Sequence, residues 1–551
     1  MKEPIPSDTI SSPSTNSTQP EQLRFLVIGA GSRGNAYGRA VTTATPGIIH
    51  AVAEPHAFKR RDFGQKYIWG ASGHPNEGQE FADWREWLDW ELSRRKLAQS
   101  LDPNSSQTRI PPGVTGVFIC TLDETHVEIL QALAPLQLHI LCEKPLALSL
   151  NDCLTVYRTL QPPTAEDPHT PQPPKNIFSI GHVLRYSPHN ILLRKLLLTN
   201  RTIGDVVSLE HCEPIGWWHF SHSYVRGNWR RQTAAGDGSL LTKSCHDIDF
   251  ILWLLCSPAD AETAARTGQT PHFPRSISSA GSLTQFRRSR KPVAAGDATN
   301  CVSCPVERDC VYSAVRIYND RHLAKGHTAW PVDIVCPDIE DVLRGQGGDA
   351  PEKTLIDRLS EDYDRETVDD ATIAQRPWYG RCVWESDNEV CDDQVVTMSW
   401  DDEGCAPYRM AKTASFHMIA PTEKQCERRG RVYGTTGEIE YDSSRISVYD
   451  FASGKTTVFD VPKPPPEHQE SHGGGDFGLA RQFVSAVEAV ESGKLDVETA
   501  QARFVGCSLE EAVRSHAVLF AAEEARREEK VVKWGSWWDE KLRASAATWK
   551  A

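Results

Sequence analysis

Three glycines at the spacing G-x-G-x-x-G, Gly29, Gly31 and Gly34, close the short apolar run Phe25-Leu26-Val27-Ile28. The spacing suits phosphate chemistry, with a separate task for each glycine. Gly29 permits a tight turn, Gly31 lets the backbone come close to a pyrophosphate, and Gly34 lets the following helix pack on the strand. That helix would offer unpaired N–H groups and a positive dipole end to the phosphates. A second apolar run over residues 48–53 ends at Glu54, 20 residues after Gly34, where an acid accepts hydrogen bonds from an adenosine ribose. Together the spacings predict a dinucleotide site. Glu54 would accept from a free 2′-hydroxyl and repel a 2′-phosphate, which favours NAD, while Arg60 and Arg61 lie near enough in sequence to keep NADP open.

The elements that must hold this loop can be read from periodicity. Continuously apolar runs at 23–29, 48–54, 116–121 and 138–143 read as buried parallel strands, and helical segments such as 33–43 and 124–133 lie between them. The alternation predicts an α/β Rossmann domain with a doubly wound parallel sheet over 21–184, closed by a strand near 177–183. Residues 1–20 hold almost no large apolar groups and are expected to form a disordered tail. Two proline-rich stretches, 97–112 and 161–175, read as exposed insertions.

Beyond residue 184 the pattern alternates, as at 206–211, 394–400, 414–419, 431–433 and 446–451. This predicts a C-terminal α+β domain over 185–551 with a large, mainly antiparallel sheet. Polar stretches near 260–299 and 337–374 read as surface insertions. The end is helical: Asp476 reads as a cap for a helix with Leu479, Phe483, Val484, Val487 and Val490 on one face, and Ser508 and Glu511 form a capping box for the next. His472 and the three glycines after it read as a linker in preference to a flap. The run Cys301-x2-Cys304-x5-Cys310 is half of a tetrahedral zinc set, with Cys336, Cys382, Cys391 or His327 as sources of a fourth ligand. Reduced, packed thiols are the preferred reading, so no metal is expected.

Composition narrows the function classes. A net charge of −14 argues against a nucleic-acid partner, and the longest apolar run is too short to span a bilayer. The N-terminus lacks a secretory pattern and the 15 cysteines are scattered through a long chain, which points to reduced thiols in the cytoplasm.

Three further stretches add specificity: Thr121-Leu122-Asp123-Glu124-Thr125-His126, Cys142-Glu143-Lys144-Pro145, and 241–249 with Lys243, His246 and then Trp253. With the glycine loop they resemble the Gfo/Idh/MocA family of nicotinamide-dependent sugar and polyol oxidoreductases. The resemblance implies a cofactor set of Gly29, Gly31, Ser32, Arg33, Gly34, Glu54, Thr121, His126, Glu143 and Lys144. It also implies that Lys144 touches the reacting hydroxyl and that His246 takes its proton, as a neutral imidazole can near pH 7. Arg226, Trp229 and Lys243 would meet the substrate, with an ordinary packed loop as the competing reading for the first two. One departure stands out: many family members carry an acid four residues before the histidine, and here that residue is Thr242.

The expectation is therefore an NAD(P)-dependent enzyme that moves a hydride between nicotinamide and a secondary hydroxyl of a sugar, cyclitol or related polyol. A homodimer or homotetramer is implied by the resemblance alone. The alternatives are a redox-neutral glycoside hydrolase with retained NAD and a non-catalytic dinucleotide sensor of the same fold.

Overall fold

A computed structural model describes residues 22–100, 110–164, 171–233, 237–364, 366–404, 409–461 and 472–549. The tail expected at residues 1–20 lies outside them. Six strands form the first sheet: β1 (Arg24–Ile28), β2 (Ile48–Ala53), β3 (Glu80–Phe81), β4 (Gly116–Ile119), β5 (His139–Cys142) and β6 (Phe178–Ile180). They lie in the order β3-β2-β1-β4-β5-β6, and every pairing is parallel. The order reverses between β1 and β4, so their carboxyl ends open the crevice in which such sheets bind ligands. Continuous apolar sequence follows from burial on both faces: Phe25, Leu26 and Val27 are all fully buried.

The second sheet has nine strands. They are β7 (Val206–Pro214), β8 (Ser276–Ser282), β9 (Asp393–Trp400), β10 (Lys412–Ile419), β11 (Arg429–Gly434), β12 (Gly437–Tyr441), β13 (Ile446–Asp450), β14 (Lys455–Phe459) and β15 (Val532–Lys533), in the order β14-β13-β12-β11-β7-β10-β9-β8-β15. Only β7 with β10 is parallel. Val396, Met398, Trp400, Ala414, Phe416 and Met418 face the core at every second position, the pattern of a sheet with one wet face.

One expectation about this half needs correction. The stretch 260–299 is not all surface insertion, because it carries β8, which pairs with β9 along seven residues and buries Ile277. Its sequence, Ser-Ile-Ser-Ser-Ala-Gly-Ser, lacks the β-branched signal of a strand because β8 lies near the sheet's end. The stretch 337–374 does leave the sheet, but as helices Ile339–Gly345, Ala350–Leu359 and Asp370–Ala374. Leu355 and Leu359 there share a separate small core with Trp218, Ile317 and Tyr318.

Four helices position the site: α1 (Ser32–Ala44), α2 (Cys245–Leu255), α3 (Gly475–Glu491) and α4 (Leu509–Arg527). Although α3 comes late in the chain, it packs on the first sheet, with the Phe483 ring 6.0 Å from Phe25 and 5.4 Å from Phe118. Burying one such phenylalanine is worth about 1.5–3 kcal/mol. Asp476 does not cap this helix. The residue before the helix is Gly474 in left-handed backbone (φ 88°), and Asp476 lies inside the first turn, fully buried. Ser508 does cap α4, its hydroxyl accepting from the Glu511 N–H at 3.1 Å.

Candidate active site

The glycine loop has the geometry its spacing implies. Gly29 has φ +93°, and a Cβ there would lie 2.7 Å from the Cys120 carbonyl oxygen; a Cβ on Gly34 would lie 2.1 Å from the Gly29 carbonyl oxygen. A Cβ on Gly31 meets nothing within 4 Å, so the backbone of this residue faces open space. No side chain caps α1, and Ser32 stands exposed as its first residue. An uncapped helix N-terminus beside an open glycine is a ready anion cradle, and it fits a pyrophosphate.

Glu54, buried at the end of β2, accepts from the Ala30 and His56 N–H groups, both at 2.8 Å. Each carboxylate oxygen keeps a lone-pair direction for a ribose hydroxyl. The nearby arginines are engaged: Arg60 bonds the Glu54 carbonyl at 2.6 Å and the Glu80 carboxylate at 2.9 Å, and Arg61 pairs with Asp341 at 3.3 Å.

Two side chains expected to touch cofactor do other work. Arg33 bonds Glu143 at 2.8 Å, Tyr37 at 2.8 Å and Asp476 at 2.5 Å. The Tyr37 hydroxyl also donates to Glu143, at 2.5 Å. Burial pushes the Asp476 and Glu143 carboxyls up, but the Arg33 guanidinium outweighs it and holds both below the usual carboxylate range. His126 is fully buried with one ring nitrogen 2.8 Å from the Pro145 carbonyl and the other 3.3 Å from that of Thr121. Both residues thus lock the backbone around Glu143–Pro145, whose Lys144–Pro145 peptide is cis. Thr121 remains at the crevice and accepts from the Thr125 hydroxyl at 2.7 Å.

Lys144 and His246 come together from different domains. Lys144 Nζ donates to the Thr242 carbonyl at 3.0 Å and lies 5.9 Å from the centre of the Trp229 ring. Where the family pattern has an acid, a main-chain carbonyl one helical turn before His246 therefore holds the lysine. Trp229 is fixed in turn, its indole N–H donating to Asp123 at 3.0 Å. Burial raises the Asp123 carboxyl, against the pull of Lys144. His246 opens α2 and is 4% exposed; its Nδ1 has no partner among the described residues. Burial first, and the Lys144 cation second, push its pKa well below the usual value, so the imidazole is neutral.

His472 is not a plain linker residue. Its Nδ1 lies 3.0 Å from Asp476, and its ring centre lies 5.8 Å from that of His246. Asp476 thus joins Arg33 on one side to His472 on the other, a link that its reading as a helix cap concealed. Tyr37 carries no sequence signal, Asp123 lies within the 121–126 stretch without an assigned role, and His472 reads as a linker from sequence alone.

The two remaining substrate candidates differ. Lys243 Nζ lies 3.2 Å from Cys426 Sγ and 3.6 Å from Glu213. Burial opposes its charge, but these neighbours hold its pKa above the usual lysine value. Arg226 is fully buried and donates to the carbonyls of Arg381 and Tyr312, both at 2.7 Å. It faces the protein interior, which corrects its reading as a substrate ligand, whereas Trp229 three residues on reaches the crevice.

Comparison with known proteins agrees with this architecture. Residues 23–162 match the Gfo/Idh/MocA model described as an oxidoreductase family, NAD-binding Rossmann fold. Residues 195–280 match the companion model, the oxidoreductase family's C-terminal alpha/beta domain. Inositol 2-dehydrogenase 2 of Saccharopolyspora erythraea is 29% identical over 159 residues, which are 28% of this chain and 40% of that protein. The match thus spans about two-fifths of the relative's length. An inositol dehydrogenase homolog from Azotobacter vinelandii, solved with NAD+, superposes with a TM-score of 0.56 at 13% identity, covering 94% of this chain and 98% of that one. A levoglucosan dehydrogenase solved with NADH and levoglucosan gives a TM-score of 0.53 at 15% identity, covering 94% of this chain and all of the other.

Proposed function

We propose that this chain, a member of the Gfo/Idh/MocA oxidoreductase family with an NAD-binding Rossmann domain, oxidises a secondary hydroxyl of a sugar, cyclitol or related polyol. One observation carries the reading. A buried, neutral His246 stands four residues from the Thr242 carbonyl that holds Lys144 Nζ. When bound, NAD supplies the two-electron hydride acceptor.

The chain's own residues do the rest. The Lys144 ammonium lies beside the hydroxyl oxygen and stabilises negative charge as it develops there. His246 starts deprotonated and receives the hydroxyl proton on its imidazole. Asp476, reached through His472, takes over the electrostatic task of the acid that Thr242 replaces. Trp229 offers its ring to an apolar sugar face. Arg60 is committed to Glu80 and to the Glu54 carbonyl, which supports NAD over NADP.

Inositol and levoglucosan dehydrogenases among the similar proteins support a polyhydroxylated ring as substrate. The described residues hold no helix long and apolar enough to cross a membrane, and we take the cytoplasm as the working compartment. Pairing of two or four copies through the wet face of the nine-stranded sheet completes the proposal; light scattering of the purified chain tests it.

The deciding experiment follows NADH formation over a panel of sugars, cyclitols and sugar acids, with NAD and NADP in parallel. Wild type is compared with Lys144→Ala. Turnover that collapses in the variant supports the dehydrogenase. Silence on the whole panel with NAD still bound would overturn it in favour of a redox-neutral hydrolase or a sensor.

A further inference from the structure

We propose that Cys301, Cys304, Cys310 and Cys382 bind one structural zinc ion. Sequence spacing offered three thiols and several candidates for a fourth, and the fold selects among these. The four cysteines line a single cavity of about 20 Å3. The chain brings them there by pairing two distant segments: Asn300 bridges Arg381, the Cys301 N–H donates to the Gly380 carbonyl at 2.8 Å, and the Cys382 N–H donates to the Thr299 carbonyl at 2.7 Å. Cys336 packs elsewhere with Val332 and Ile339, and Cys391 does not line the cavity. Glu307 does line it, but its carboxylate accepts from the Ser313 hydroxyl.

Size and charge both favour a single cation bound as a thiolate complex. A space of about 10–15 Å3 admits one water-sized sphere, so this cavity suits one ion and not a four-iron cluster. The charge argument comes from Arg226. Its guanidinium is fully buried, and among the described residues it has no carboxylate at ion-pair distance and an unpartnered Nη1. Asp387, an acid of the neighbouring loop, is already shared by Arg230, Arg231 and Arg381. An unpaired buried charge is costly. Arg226 Nη2 instead points at Cys301 Sγ, 3.5 Å away. Four thiolates around Zn2+ carry a net charge of −2, which supplies the missing counter-charge.

Among the described residues no three metal-binding side chains are yet gathered around one point. Cys301 Sγ sits between Arg226 and the Arg381 carbonyl, 3.5 and 3.9 Å away. Ligation therefore requires the thiols to turn inward by changes of χ1 rotamer, to zinc–sulfur distances of about 2.3 Å. The balance is one Zn2+ and four thiols giving the tetrathiolate complex and four protons. Its effect is to tie the 301–310 loop to the segment at Cys382, behind the segment that presents Trp229 to the crevice.

The test uses the full chain purified without chelator from zinc-supplemented culture. We expect one zinc per chain, released by an organomercurial as four thiols react, and a tetrahedral thiolate spectrum after exchange with cobalt(II). Cys304→Ser and Cys382→Ser should lose the metal, while Cys212→Ser, a change outside the cavity, should keep it. Substoichiometric zinc in wild type, iron with sulfide in its place, or full zinc retention in both cavity variants would overturn the proposal. The cobalt spectrum of wild type decides the matter if the variants do not fold.

Discussion

At the glycine loop, the groups that face the crevice are main-chain N–H donors within a few consecutive residues, from Gly31 to Gly34. Across the crevice, Lys144, Trp229, Lys243, His246 and His472 are side chains drawn from four separate segments. The first surface depends on backbone conformation and on the absence of a few Cβ atoms. The second depends on two domains and α3 docking correctly. Damage to one should therefore look unlike damage to the other.

The largest expected effect lies on the side-chain wall. His246→Gln and Lys144→Ala should each lower kcat by about 10²- to 10⁴-fold, the usual worth of a positioned proton-transfer group. NAD titration should show that His246→Gln still binds cofactor; its loss would mean the histidine is structural. Next comes the knot behind that wall. Arg33→Met leaves Glu143 and Asp476 buried without their shared cation and should cost about 3–5 kcal/mol in urea unfolding. A change below about 1 kcal/mol would show that Arg33 contributes little to stability.

Acid should act on the same wall. His182, with its ring centre 6.3 Å from that of His246, and His516, 5.6 Å from His182, are held at about 3 and about 4 by burial, and His246 is also lowered. The unfolded chain binds protons at these histidines below about pH 6.5, while the folded chain does not. Their contribution is thus full above pH 6.5 and is lost as pH falls toward the folded values. Three such groups give a slope of about 4 kcal/mol per pH unit. Unfolding midpoints at pH 7.5, 6 and 5 check this, and equal stability at all three would refute it. The smallest effect belongs to the main-chain surface. Gly31→Ala meets no protein atom, so its melting temperature should not move, yet the methyl sits where phosphate approaches. A loss of about 2 kcal/mol, roughly 30-fold in NAD Kd, is expected. Gly34→Ala should lose both stability and binding, since its Cβ falls on the Gly29 carbonyl.

The same contrast explains what could be read in advance. The glycine loop and Glu54 were legible because their chemistry is local and their spacing is fixed by one strand–turn–helix unit. Strands β1, β2, β4 and β5 were legible because burial on both faces leaves unbroken apolar runs. β8 was not, since a serine-rich strand near a sheet's end carries little side-chain signal. Lys144 and His246 were legible only through resemblance, as nothing in a lone lysine or histidine announces that two domains will bring them together. Arg226, for which a packed loop was the competing reading, and Asp476 could not be placed for one reason: Arg226 meets Cys301, Tyr312 and Arg381, 75 to 155 positions on, and Asp476 meets Arg33, 443 positions back.

The docking of α3 on the first sheet has a bearing on how this protein is made. Synthesis runs from the N-terminus, so residues 24–180, which contain all six strands of that sheet, emerge long before residues 475–491. Until then Phe25 and Phe118 lack the ring that covers them. The first domain therefore completes its packing only after the second has been synthesised.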